Sequence, residues 1–83
     1  MHGHELLQAL RTIAVTPQAV KDLAEKVANT KLVGVSTSQM GIEIVLMAAR
    51  RAKETQDEQT IAGLMLITYY TGLWTAREVA ARS

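Results

Sequence analysis

Apolar residues recur along this chain at helical spacing almost from its start. Leu6, Leu7, Leu10, Ile13 and Ala14 mark one face of a first helix over His4 to about Val15. Thr16-Pro17 then restarts the chain, with Thr16 an N-cap and Pro17 at the first helical position, where its missing N–H costs nothing. The second helix, Pro17 to about Thr30, buries Val20, Leu23, Ala24, Val27 and Ala28 and exposes Lys21, Asp22, Glu25 and Lys26. Asn29 to Ser38 is the main break, a loop held to the core by Leu32, Val33 and Val35. Ser36 with Gln39 fits a capping box that opens a third helix, about Thr37 to Glu54.

The third helix confines Glu43, Arg50 and Glu54 to one narrow wedge, with Arg51 and Lys53 on either side of it. A line of small residues, Ser38, Gly41, Val45, Ala48 and Ala52, suits close approach of another helix. Thr55 to Glu58 reads as a second capping box and a tight connection into a fourth helix, about Gln56 to Thr71, stopped by Gly72. Thr75 to Glu78 is a third such box, opening a short last helix with Val79, Ala80 and Ala81. The expected fold is all-α: a single domain, residues 1–83, of four main helices plus a short C-terminal one, the third and fourth forming a hairpin.

Two segments break the amphipathic rule. Ile42 to Ala49 and Ile61 to Tyr70 are apolar nearly all the way round. A hairpin hides one side of each, and the first two helices cover only part of the rest. Exposing even about 400 Å² of contiguous apolar surface is unusual for a soluble monomer. A second chain is therefore expected, with Met40, Ile44, Leu46, Met47, Leu66, Tyr69, Tyr70 and Trp74 as its interface and a symmetric homodimer as the simplest assembly.

The 83 residues include no cysteine, which removes disulfides, thiolate metal sites and thiol catalysis. Nine basic and eight acidic residues give a net charge of +1, so nothing here resembles an electrostatic nucleic-acid binder. No signal peptide is read at the start, and the longest apolar run is about half of the ~20 residues that span a bilayer. A cytoplasmic protein without membrane association is expected. His2 and His4 could chelate a metal with the terminal amine, but nothing nearby completes a site. Arg50, Arg51 and Lys53 are the densest basic cluster, and favourable charge at a helix C-terminus accounts for them. Ser36, Thr37 and Ser38 read as caps, since no His or Lys is placed to activate them. No catalytic, cofactor or metal site is assigned.

Leu73 to Arg82 (LWTAREVAAR) resembles the opening of the helix-turn-helix of excisionase-like DNA-binding domains, with the sequence ending at Ser83 before a recognition helix. Ala48 to Glu78 resembles a single tetratricopeptide helix pair through Tyr69-Tyr70, Gly72 and Ala76, without a second copy. Neither reaches the first half of the chain, and no family is assigned. The reading is a small, non-enzymatic helical protein that binds another protein, as adaptor, chaperone-like subunit or inhibitor. The alternative is a DNA-binding or transcription-regulating domain that uses the first two helices or the basic cluster at Arg50.

Overall fold

The computed structural model describes all residues, 1–83. Four helices form in chain order: α1 (Gly3–Thr12), α2 (Pro17–Asn29), α3 (Met40–Ala52) and α4 (Glu58–Ala81). No strand is present beyond one isolated parallel bridge between His2 and Val33. That bridge ties the N-terminus to the loop after α2, through Gly3 N–H to the Val33 carbonyl and Val33 N–H to the Met1 carbonyl.

Each helix end has a local cause. α1 starts one residue early because His2 caps it: His2 Nδ1 accepts from the His4 N–H at 3.1 Å, and Glu5 accepts from the His2 N–H at 3.1 Å. Ile13 turns extended and closes α1 short of the expected Val15. Arg51 of α3 donates to the Arg11 and Ile13 carbonyls, replacing the helical partners these groups lose. α2 begins as its sequence implies, with Thr16 Oγ1 accepting from the Ala19 N–H and Pro17 in the first turn. The Trp74 indole N–H donates to the Val27 carbonyl at 2.8 Å, in the last turn of α2.

The expected capping box at Ser36 does not form. α3 starts at Met40, after Ser38 and Gln39, which both adopt left-handed backbone with φ of 49° and 62°. Ser36 is held elsewhere, by Glu78 of α4. The Thr55 box is also displaced: the cap of α4 is Asp57, whose carboxylate accepts from the Thr60 N–H at 2.8 Å and the Thr60 hydroxyl at 2.7 Å.

The largest departure is at Gly72. Neither a stop there nor a separate helix after Thr75 is seen; α4 runs unbroken for 24 residues. The Thr71 and Thr75 hydroxyls each donate to the carbonyl four residues earlier, so Thr75 is spent inside the helix and not as a cap. Packing on both sides of Gly72 carries the helix through, against a glycine penalty of about 1 kcal/mol.

At 1.5 Å per residue α4 is about 36 Å long, close to the 41 Å longest dimension of the molecule. It packs against both α2 and α3, while α1 packs against α3. Leu6, Leu10, Val20, Val27, Leu32, Ile44, Leu64 and Ile67 form the centre of the core. A monomer of 9.1 kDa is expected to expose about 4,900 Å², and this one exposes 5082 Å². The chain is thus well closed on itself, and what it leaves outside is a property of particular faces.

Candidate functional site: an uncharged face across α3 and α4

The outward sides of α3 and α4 carry most of the exposed large apolar residues. On α3, Ile42 is 60% exposed and Leu46 56%, with Val45 beside them. On α4, Met65 is 61% exposed and Tyr69 63%; Leu66 is exposed too, but on the α2 side of the helix, where it lines a separate groove with Lys21 and Glu25. The spacings 42, 45, 46 and 65, 69, 72 are each a single helical stripe. From Gln59 to Ala76, α4 contains no charged residue at all. Glu43, Arg50 and Glu54 are exposed too, but at about 100° per residue they fall on the flank of α3 turned from α4.

A groove of about 450 Å³ runs between the two helices. Val45 and Leu46 form one wall, Gly72 and Thr75 the other, and no lining residue is charged. The Thr68, Thr71 and Thr75 hydroxyls point their protons at carbonyls of α4 itself. The groove therefore offers shape and apolar surface more than directed polar chemistry. Burying what remains exposed of Ile42, Val45, Leu46, Met65 and Tyr69 would be worth about 4–7.5 kcal/mol before any cost of association, at roughly half the value of a full side chain each.

Gly72 stands in that groove without an internal reason. A Cβ there would meet nothing within 4 Å. We expect Gly72→Ala to stabilise the isolated chain by about 0.5–1 kcal/mol, read from urea unfolding at low concentration. A loss of stability would mean that the groove is narrower than described.

The residues expected at an interface divide by helical angle. Leu46 and Tyr69 lie on the exposed side, and Leu66 is exposed toward α2. Met47, Tyr70 and Trp74 are half-buried against the core. Met40 (4% exposed) and Ile44 (0%) are corrections: both sit in the core and have no surface to offer a partner. They share the inward side of α3 with Ala48, opposite Ile42 and Leu46. Ile42, Val45, Met65 and Gly72 share the exposed side with Leu46 and Tyr69, as their three- and four-residue spacing to them implies.

Trp74 is tied down at its edge by the bond to Val27 and on one face by the Arg77 guanidinium, 4.9 Å from the ring centroid. Tyr69 and Tyr70 meet edge to face at 5.4 Å. In the basic cluster, Arg51 is committed to the α1 carbonyls and lies 3.3 Å from the Glu54 carboxylate, an ion pair too poorly aligned to count as a hydrogen bond. Arg50 and Lys53 remain exposed.

Glu78 organises the other end of α4. Its carboxylate accepts from the Gly34 N–H at 2.6 Å, the Ser36 N–H at 2.8 Å and the Ser36 hydroxyl at 2.6 Å. These bonds, the Ser36 hydroxyl first, lower its pKa from 4.5 to about 2. So weak a base does not activate the Ser36 hydroxyl, and the pair works as a clamp. Gly34 completes it: the backbone there has φ of 74°, and the His2 ring occupies the space of a side chain.

A second groove, about 740 Å³ between α2 and α4, is lined by Lys21, Glu25, Gln18 and Gln59 among apolar residues and is the more polar of the two. The His2 and His4 rings stack at 5.1 Å, and no three His, Cys, Asp or Glu side chains gather in a way that would hold a metal ion. No helix is long and apolar enough to cross a membrane. Compared with protein-family models, with curated proteins and with solved structures, the chain matches none.

Proposed function

We propose that this chain is a small, non-enzymatic, cytoplasmic protein that works by binding another protein, as adaptor, chaperone-like subunit or inhibitor. The α3–α4 pair, acting as a helical hairpin, supplies the binding surface. One observation carries the reading: the outward side of the longest helix is free of charge from Gln59 to Ala76 and faces solvent beside the apolar stripe of α3. A helix that only closes a monomer core keeps a polar outer side. A partner presenting an amphipathic helix or another apolar face fits this surface. The DNA-binding alternative has less behind it, since Arg51 is occupied by α1 and the neighbouring Lys53 is followed at once by Glu54.

A photo-reactive phenylalanine analogue at position 69, compared with the same analogue at exposed Gln8 on α1, tests the assignment in living cells of the source. The expected result is a discrete protein adduct from position 69 and none from position 8. Equal labelling from both positions, or none from either, would overturn the reading. Retention of duplex DNA that weakens steeply with salt would favour the alternative.

A further inference from the structure

We infer that the occupant of the α3–α4 face is a second copy of this chain, docked across a two-fold axis with the two α4 helices crossing near Tyr69 and Gly72. This rests on the reading of that face as a protein interface and names the partner.

Area is the first support. α3 is about 20 Å long and the uncharged part of α4 about 27 Å, each helix ~10 Å wide, which gives a footprint of roughly 500 Å² per copy. Two copies together reach about 1,000 Å², where specific interfaces begin, and side-chain relief adds to the accessible area. Electrostatics is the second. Near a two-fold axis each residue faces its own counterpart, so any charge would meet a like charge at close range. The face centred on Tyr69 avoids this: Ile42, Val45, Leu46, Met65, Tyr69 and Gly72 are all uncharged. Most other exposed parts of the molecule carry charges, such as Lys21, Asp22, Glu25 and Lys26 on α2.

Gly72 is the third support and points to a crossing. It is an interior helical glycine, with no contact from its own chain where a Cβ would stand. A backbone or ring arriving from outside gives it a role. Tyr69 lies one turn before it on the same stripe and is 63% exposed. In a two-fold crossing the ring of each Tyr69 covers Gly72 of the other copy, filling the groove between Val45 and Thr75. The same substitution should then act in opposite directions on folding and on association. Gly72→Ala stabilises the monomer and puts a methyl group where the partner's ring must lie.

Sedimentation equilibrium of the full chain from low to high micromolar concentration tests this, with Tyr69→Glu, Gly72→Ala and the control Gln8→Glu. The expected wild-type result is a reversible monomer–dimer equilibrium that goes no further than dimer. Tyr69→Glu should weaken association at least about a hundredfold, and Gly72→Ala about tenfold or more. Gln8→Glu should match the wild type, and all four proteins should keep the same far-ultraviolet helical signal. Tyr69 is exposed, so its replacement does not disturb the core, and Gly72→Ala gives an independent readout. The proposal is overturned by a wild type that stays monomeric, by mass that rises beyond dimer, or by both face variants associating as the wild type does. If the wild type is monomeric yet position 69 still crosslinks to a different protein, the interface reading survives and only the second copy is lost. If neither occurs, both fail.

Discussion

Glu78→Gln should lower the unfolding free energy by about 2 kcal/mol at neutral pH, out of a total of roughly 4–12 kcal/mol for a chain of this size. The side chain accepts three hydrogen bonds from residues 34–36, and a neutral amide replaces one acceptor arm by a donor aimed at other donors. A pKa held at about 2 instead of 4.5 would correspond to about 3.4 kcal/mol. Solvent screening at the edge of the molecule reduces this to the smaller figure. The sign follows from the lowered pKa. The stabilisation is complete above the unfolded value near 4.5 and is lost as pH falls from there toward 2. Asp57 acts in the same direction, its pKa lowered chiefly by the Thr60 hydroxyl. Urea unfolding between neutral pH and pH 3 should show the wild type losing its advantage over Glu78→Gln in acid, with Asp57 leaving a residual slope in both. A constant difference across that range would mean that folding does not lower the Glu78 pKa.

Gly63→Ala should cost about 1–3 kcal/mol, the usual range for an added methyl group in a filled core. A Cβ at Gly63 would stand 2.6 Å from Val20 Cγ1. Val20 is fully buried, so its methyl group has little room to withdraw. The contact lies where α2 packs on α4, so relief requires an unfavourable turn of the buried Val20 side chain or separation of those helices. Gly72→Ala makes the same chemical change nine residues along the same helix with the opposite expected sign. Thermal unfolding of the two variants side by side therefore separates packing from helix propensity. A stabilised Gly63→Ala would place α2 farther from α4 than described here.

Much of the fold can be read along the chain, because the apolar period marks both α1 and α2 and a local cap marks the start of α2. Thr16-Pro17 opens α2 where expected, and no residue after it competes for Thr16. The misreadings at Ser36 and at Thr75 to Glu78 share one cause, that a capping signature is local while its side chains can be claimed from elsewhere in the fold. Ser36 and Glu78 each belong to an apparent capping box, yet they bind one another across the fold. With Glu78 holding the 34–36 loop and Thr75 bonded within its own helix, nothing is left to restart a helix after Gly72. The His2 cap was missed because imidazole is not an ordinary N-cap side chain. The all-round apolar character of α3 and α4 is visible in sequence. Which side turns inward depends on where α1 and α2 pack, so Met40 and Ile44 could not be told from Ile42 and Leu46 by composition.

Oxidative footprinting in living cells tests most directly whether the α3–α4 face is covered when the protein works. Met65 and Met40 carry the same thioether, one 61% exposed and the other 4%. In dilute isolated protein Met65 should oxidise far faster than Met40. In the cell the account predicts that Met65 is protected nearly to the level of Met40, with Tyr69 protected alongside it and the exposed imidazole of His4 still reactive. Oxidation of Met65 in the cell at the rate seen in the dilute chain would contradict it.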